Sequence, residues 1–240
     1  MNRLMYEVVK KIHVNDFTRN GETMKRIMFV LGVCAILSAT ASADLSVNFA
    51  WTPNPGDGSY LTTSVLNAVV DTFTGPGRPG WNYVPLDAAN GGGITSGSVT
   101  GSHAAPENDT TAYFCLPTAD PGQAPSTAMV TVDGFGTRNY IGLYWGSIDP
   151  SNAIELFVGD VSVGKITGVN VAAVPNGAWT GNDTNKYVNI YSTVPFNKAV
   201  FTTGQIAFEF DNLAVANVPV PGAVLLGFLG LGAAGMRLRK

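Results

Sequence analysis

The sequence predicts an all-β protein, with an antiparallel β-sandwich of jelly-roll-like type over residues 44–217 and an apolar segment near each end of the chain. Short stretches in which apolar and polar side chains alternate recur through the second half of that range, and Gly, Asn, Asp and Pro separate them. Alternation of this kind is typical of strands with one buried face. No stretch in the range shows the helical period of about 3.6 residues. We therefore expect strands and turns, with one solvent-facing side on each sheet.

Residues 24–43 have the three parts of a secretory signal peptide. Two basic residues open the segment, residues 27–37 are apolar, and Ala41 and Ala43 place small side chains at the cleavage site. We expect signal peptidase to cleave after Ala43, so that the chain is exported.

Residues 1–23 precede this signal and carry charges of both signs, which is unusual ahead of a signal peptide. Two interpretations remain open. Residues 1–23 are a long n-region of the signal peptide, or the start codon of the protein is assigned too early and these residues are not translated. The codons for residues 21–24 permit a bacterial ribosome-binding site just before Met24. We therefore favour Met24 as the true start.

Four stretches carry the clearest strand patterns, and they are residues 141–145, 154–158, 188–190 and 206–210. After the second stretch, residues 159–160 predict a tight hairpin turn into another strand that begins at Val161. Residues 54–125 differ from the rest, because they hold most of the prolines and few alternations. There we expect long loops, with strands near residues 65–73 and 111–116.

The predicted sandwich is acidic and has a single cysteine. Residues 44–217 contain five Lys or Arg and fourteen Asp or Glu, so that their net charge is near −9. This charge repels nucleic acid, and we expect no nucleic-acid partner. Cys115 cannot form a disulfide within the range because it is the only cysteine there, and its neighbours predict a half-buried strand.

The residue types needed for catalysis are scarce in the same range. His103 is its one histidine and lies in a loop-like stretch, where nothing indicates the positioned base and carboxylate of a Ser-His-Asp triad. Glu155 and Glu209 are a candidate carboxylate pair for glycoside hydrolysis, but alternation places both on the solvent-facing side of strands. We therefore predict that the protein is not an enzyme, with a secreted hydrolase as the weakest functional alternative.

Residues 218–240 form a tail in three parts. Its first part is the stiff motif Val218-Pro219-Val220-Pro221-Gly222. The second part is apolar as far as Met236, and counted from residue 218 it would span about 28 Å as a helix, close to the roughly 30 Å of a hydrocarbon core. The third part consists of Arg237, Arg239 and Lys240, which keep the end of the chain in the cytoplasm. The tail therefore predicts one short transmembrane helix.

The tail and two stretches of the sandwich resemble the exosortase-dependent surface proteins of Gram-negative bacteria, the PEP-CTERM class. The tail has the order of that class's sorting signal: a short proline motif, a transmembrane helix and a basic end. Residues 142–149, GLYWGSID, and residues 208–212, FEFDN, are similar to a subset of these proteins with a β-sandwich ectodomain. The usual motif is Val-Pro-Glu-Pro, and Val220 stands here in place of the Glu.

This resemblance implies a non-enzymatic protein of the cell surface or extracellular matrix. Such a protein crosses the inner membrane, is released by signal peptidase, and then loses its C-terminal helix to an exosortase, often in a setting of extracellular polysaccharide or biofilm. If the helix is not removed, it stays as a permanent single-span membrane anchor.

The leading alternative is a carbohydrate-binding, lectin-like module with a structural Ca²⁺ ion. Jelly-roll lectin-like domains often hold Ca²⁺ near the last strand with Asp and backbone oxygens, and Asp211 and Asn212 lie in that position. The same two residues can instead form a turn at the end of a strand. Exposed Trp and Tyr side chains on one face would favour sugar binding, whereas a carboxylate pair in a cleft would favour hydrolysis.

The signal peptide leads to a direct prediction about the mature chain. Because the small residues end at Ala43, the secreted form is expected to begin at Asp44. Intact-mass analysis of secreted material checks this, and a mature species that still contains His13 would contradict it.

Overall fold

The computed structural model describes residues 44–54, 58–76, 78–85, 93–116 and 128–219. The leader, the signal peptide with Ala41 and Ala43, and the tail from Val220 to Lys240 lie outside the described residues, so the predictions for them stay predictions. Within the described ranges, no helix has the length and apolar character needed to cross a bilayer.

Strands are the main regular structure of the described residues, as the alternating patterns predict. The strands of the first half are β1 Leu45–Asn48, β2 Thr52–Asn54, β3 Tyr60–Thr62, β4 Val69–Asp71, β5 Asn82–Pro85, β6 Gly93–Ser96 and β7 Ala112–Leu116. Those of the second half are β8 Ala128–Asp133, β9 Arg138–Gly146, β10 Ala153–Val158, β11 Val161–Thr167, β12 Lys186–Phe196, β13 Lys198–Thr203 and β14 Phe208–Ala216. Between β11 and β12 lies a helix of one turn, α1 Gly168–Val171.

Two antiparallel sheets contain most of these strands. The larger sheet has seven strands in the order β1-β12-β9-β14-β7-β6, with β4 also paired to β14. The smaller sheet has five strands in the order β11-β10-β13-β8-β5, and β2 pairs with β3 as a separate hairpin. The predicted hairpin at residues 159–160 is confirmed, because β10 and β11 pair from Val158↔Val161 onward.

One apolar core lies between the two sheets and makes the arrangement sandwich-like. Trp145 of β9 stacks on Phe208 of β14 with ring centroids 4.6 Å apart. Phe210 of the same strand stacks on Phe201 of the smaller sheet, also at 4.6 Å. All four side chains are fully buried, and aromatic pairs at this spacing stabilise a core beyond their buried area. The all-β prediction is therefore confirmed.

The prediction of one solvent-facing side on each sheet is wrong for the larger sheet. All nine residues of β14 are buried, and β9 is buried from Tyr140 to Gly146. Parts of the first half of the domain lie across the outer face of these strands, which an alternating pattern cannot reveal. Glu209, expected to face solvent, is consequently buried. The strand of Cys115, expected to be half-buried, is buried from Tyr113 to Leu116.

The aromatic stack between the sheets predicts the effect of one core substitution. Phe210→Ala is expected to lower the free energy of unfolding by about 3–5 kcal/mol, because it removes a buried ring and leaves a cavity. The matched control Val161→Ala changes a side chain that is 71% exposed, and it should stay within about 0.5 kcal/mol of the parent. Urea unfolding measures both, and a loss below about 1 kcal/mol for Phe210→Ala would contradict the packing described.

Candidate functional site

Hydrogen bonds fasten two covering segments, residues 58–63 and 97–111, over the outer face of the larger sheet. The Asn212 side chain donates to Ser59 Oγ at 2.9 Å and to the Leu61 carbonyl at 2.7 Å. In the second segment, Ala104 N–H donates to Glu209 Oε1 at 2.8 Å. Buried polar groups need such partners, so the polar outer face of β14 positions the loops that form the two cavities described next.

The first cavity, which we call the aromatic groove, has a volume of about 310 Å³. Its lining residues combine aromatic rings with amide and charged side chains: Phe49, Trp51, Tyr60, Leu61, Glu107, Tyr144, Asn182, Asn185 and Lys186.

Three aromatic rings stand partly exposed around this groove. Phe49 follows β1, Trp51 precedes β2, and Tyr60 opens β3. Their side chains are 44%, 47% and 44% exposed. Exposed apolar side chains are ordinary when scattered, whereas a group of them around one cavity is typical of a binding surface.

The floor of the groove is rigid. Tyr144 is buried there, and its hydroxyl donates a hydrogen bond to the Glu107 carbonyl. Asn185 Oδ1 accepts hydrogen bonds from Glu107 N–H at 3.1 Å and from Ser147 N–H at 3.2 Å. Tyr60 lies beside the floor, its ring centroid 6.3 Å from that of Tyr144. These bonds fix the floor against which the Tyr60 ring lies.

The charges at the groove are already engaged. Lys186 Nζ lies 3.2 Å from Asp183 Oδ1 and sits over the Phe49 ring, 4.9 Å from its centroid. Glu107 Oε2 accepts a hydrogen bond from Gly181 N–H at 2.9 Å. The groove therefore presents aromatic faces and side-chain amides rather than a strong charge.

The second cavity, the acidic pocket, has a volume of about 300 Å³. Its polar and aromatic lining residues are Ser102, His103, Ser147, Asp149, Trp179 and Glu209. Glu209 forms part of the floor, where its Oε2 accepts a 2.5 Å hydrogen bond from Ser147 Oγ. Burial raises the pKa of Glu209 to about 7, although the hydrogen bonds from Ser147 and Ala104 oppose this shift.

His103 borders the acidic pocket without the geometry of a catalytic base in a triad. Its Nδ1 lies 3.0 Å from Ser102 Oγ, and its Nε2 faces Thr95 Oγ1 at 3.5 Å rather than a carboxylate. Burial lowers the pKa of His103, so its imidazole is neutral at pH 7. A Ser-His-Asp triad requires a carboxylate at the second nitrogen.

Asp211 and Asn212, the predicted calcium ligands, lie inside β14 and not at a strand-end turn. The pairing of β14 with β9 shifts register after Asp211, and Asn212 has a φ of 49°, in the left-handed region. This is a β-bulge, where asparagine tolerates the unusual backbone. It turns both side chains toward the covering segments.

The bulge brings Asp211 beside Asp109, which the sequence did not associate with it. Thr111 Oγ1 donates to Asp109 Oδ1 at 2.7 Å and to Asp211 Oδ2 at 3.2 Å. Burial, and then the charge of Asp109, raise the pKa of Asp211 to about 10. Two adjacent buried carboxylates repel each other strongly. Either one of them takes up a proton, or both stay ionised beside a bound cation.

The structure adds one ligand candidate to the predicted calcium site but no complete acidic cluster. Within the described residues, no group of three or more His, Cys, Asp or Glu side chains is arranged to hold a metal ion. Asp109, Asp211 and the oxygens around the bulge are therefore the available donors, and the Ca²⁺ prediction stays a prediction.

The first residue of the predicted sorting motif is attached to the sandwich. Asn139 Nδ2 donates to the Val218 carbonyl at 2.6 Å, and Val218 N–H donates to Asn139 Oδ1 at 2.7 Å. Val218 also packs against a small apolar cluster that contains Tyr140. The motif consequently begins directly where β14 ends.

Sequence reasoning did not find either cavity. Phe49, Trp51 and Tyr60 lie at or before the start of the part of the chain with few alternations, and no motif in the sequence connects them. The acidic pocket joins residues from Ser102 to Glu209, whose spacing in the sequence carries no motif. No protein-family model matches this chain, and no curated protein matches it either.

The buried pair of Asp109 and Asp211 predicts the pH dependence of stability. A carboxyl whose folded pKa is raised favours folding below its unfolded pKa of about 4, and this contribution is lost as pH rises toward the folded value of about 10. Asp211→Asn keeps the hydrogen bonds without the charge, so its stability should fall less than that of the parent between pH 5 and 8.

Melting temperatures at both pH values measure this difference, with millimolar Ca²⁺ as a second condition. If Ca²⁺ compensates the pair instead of a proton, it should raise the melting temperature of the parent alone. Parallel pH profiles together with no response to Ca²⁺ would contradict a coupled carboxyl pair.

Proposed function

We propose that this chain is an exported, non-enzymatic surface protein whose sandwich domain binds neutral carbohydrate in the aromatic groove. The observation that carries the proposal is the group of three half-exposed rings, Phe49, Trp51 and Tyr60, around one rigid groove. Pyranose rings have apolar C–H faces that stack on aromatic side chains, and their hydroxyls pair with exposed amides such as that of Asn182.

The charge of the domain favours a neutral ligand. Residues 44–217 have a net charge near −9, which repels acidic polysaccharides at long range. Lys186 does not counter this repulsion, because Asp183 already pairs with it. An uncharged extracellular polysaccharide is therefore the partner that this groove suits best.

The strand order supports the jelly-roll assignment within this proposal. Strands β7, β9, β12 and β14 belong to the larger sheet in the order 12-9-14-7, and strands β8, β10, β11 and β13 to the smaller sheet in the order 11-10-13-8. These are the two four-stranded orders of an eight-stranded jelly roll, an architecture found in lectins. A fold alone does not assign a ligand. The proposed carbohydrate binding therefore rests on the residues of the aromatic groove.

Hydrolysis is a weaker alternative for the same domain. The nearest candidate acid, Glu209, is only 1% exposed, and both its oxygens accept hydrogen bonds from Ser147 and Ala104. A general acid needs to reach the leaving oxygen at about 2.6–3.2 Å. We therefore propose a binding function and no catalysis.

Removal of one groove ring tests the proposal. Trp51→Ala should weaken binding to soluble neutral polysaccharides, such as dextran, laminarin and glucomannan, by about tenfold, as is typical for an aromatic anchor. Affinity electrophoresis and calorimetry measure the loss.

The matched control is Trp179→Ala, which removes another exposed tryptophan, 43% exposed, from the acidic pocket. It should leave binding of neutral polysaccharide unchanged. Equal affinity of parent and Trp51→Ala for every polysaccharide that binds would rule out the groove.

We further propose that signal peptidase and an exosortase process the two ends of the chain and place the domain at the cell surface. The support is the tripartite tail, together with the attachment of Val218 to Asn139. Because both backbone groups of Val218 are bonded to that side chain, the extended substrate that a protease needs begins only at Pro219. The cut is therefore expected between Pro219 and Gly222.

C-terminal peptide mapping of surface material from the native host tests this processing. The surface form should lack Leu225 to Lys240 when the exosortase is present and keep them in a strain without it. Pro219→Ala combined with Pro221→Ala should hinder the cut, because the chain is then free to leave the extended conformation. Tail peptides that persist in both strains would instead identify a permanent membrane anchor.

A further inference from the structure

The acidic pocket is distinct from the aromatic groove, although one loop serves both. Residues 172–185 contribute Gly177 and Trp179 to the acidic pocket, and Asn182 and Asn185 to the groove. The two cavities can therefore be tested independently through Trp179 and Trp51.

The acidic pocket holds two carboxyls and no opposing cation. Asp149 and Glu209 are 7% and 1% exposed. The ion pairs found among the described residues involve three other acids, Asp71, Asp160 and Asp183. His103 is neutral at pH 7, because burial lowers its pKa. The negative charge of the pocket is thus uncompensated by the described part of the chain, at a cost in desolvation.

One carboxylate oxygen is available to a ligand. Asp149 Oδ1 accepts hydrogen bonds from Ser151 N–H at 3.0 Å and from Ser151 Oγ at 2.5 Å. No hydrogen bond from the described residues reaches Asp149 Oδ2, which lies on the side of Gly177. A Cβ placed on Gly177 would be 3.8 Å from this oxygen. Asp149 Oδ2 therefore lies beside Gly177, which also lines the pocket, and has no hydrogen bond from the described residues.

The other walls suit a ring-shaped organic ligand. Trp179 is 43% exposed and offers an aromatic face, and the hydroxyls of Ser102 and Ser147 supply hydrogen-bonding groups. A volume of about 300 Å³ is much larger than a bare metal ion needs, and it is at the small end of organic ligand sites.

We propose that the acidic pocket binds an amino sugar through its ammonium group, with Asp149 Oδ2 as the direct acceptor and Trp179 against the sugar ring. Glu209 lies behind Ser147 and, with its pKa raised to about 7, adds a partial negative charge at pH 7. The ammonium supplies the cation that the pocket lacks, and its position beside an aromatic face adds a cation–π attraction. The choice of a sugar over another amine rests on the proposed carbohydrate function. The expectation of a positively charged ligand rests only on the carboxyls of the pocket.

Three sugars that share the glucose ring test the proposal: glucosamine, N-acetylglucosamine and glucose. Calorimetry at pH 7 uses the full-length chain in a detergent without a sugar headgroup. An amino-sugar ammonium resembles an α-amino group, whose pKa is about 7.7–8.0, and is mostly protonated at this pH. Glucosamine should bind, and the two neutral sugars should bind at least about tenfold more weakly.

Three variants of the pocket and one control variant of the groove assign this binding to the pocket. Asp149→Asn should weaken glucosamine binding by about 30-fold or more, the usual effect of neutralising one partner of a buried charge pair. Glu209→Gln should cause a smaller loss, because its charge acts from behind Ser147. Trp179→Ala should weaken binding about fivefold, and Trp51→Ala should leave it unchanged.

The outcomes separate this proposal from the groove proposal. Loss of glucosamine binding in Trp51→Ala but not in Trp179→Ala would overturn the pocket assignment and leave the groove. Equal binding of the three sugars, or binding of none, would overturn the role of the ammonium. Binding of Ca²⁺ that disappears in Asp149→Asn, without binding of glucosamine, would show a metal site in its place.

Discussion

The structure depends on polar side chains that are buried on the outer face of β14. Glu209 and Asp211 alternate there with Phe208 and Phe210, which enter the core, and the bulge adds Asn212 to the same face. Each of these polar side chains makes hydrogen bonds to a covering segment, at Ala104, Thr111 and Ser59. In an apolar environment such groups are costly without partners. The covering segments are therefore held at the places where β14 requires hydrogen-bond donors or acceptors.

These anchoring points shape both cavities. The bond from Ala104 to Glu209 fixes the part of the covering segment that borders the acidic pocket. Further along the same segment, Glu107 accepts the Tyr144 hydroxyl and thereby completes the groove floor. Asn185 joins the two sites, since it accepts hydrogen bonds from Glu107 and from Ser147. A rigid scaffold that presents loops in this way is typical of binding proteins.

Burial of the Asp109 and Asp211 carboxyls lowers the stability of the fold. Asp109 and Asp211 lie together away from solvent, and burial raises the pKa of Asp211. Replacement of buried ionisable groups by apolar side chains of similar volume is often neutral or stabilising. The acidic pocket and the bulge hold carboxyl groups that no described cation pairs with. Asp71 shows the contrasting paired arrangement, with its Oδ1 2.8 Å from Arg78 Nε.

The sequence by itself determined the all-β class, the hairpin after Val158 and the central parts of β9, β10 and β12, because alternation and turn residues act over a few neighbouring positions. It also determined the acidic charge of the domain, which needs only a count. Tertiary structure decided which sheet faces are exposed to solvent. Glu209 occupies a position that alternation assigns to the exposed face, yet Ala104, far away in the chain, covers it. It likewise brought Asp109 to Asp211, and Trp51 to Tyr60 and Tyr144, since such contacts depend on how the sheets and covering segments pack and leave no periodic trace in the chain.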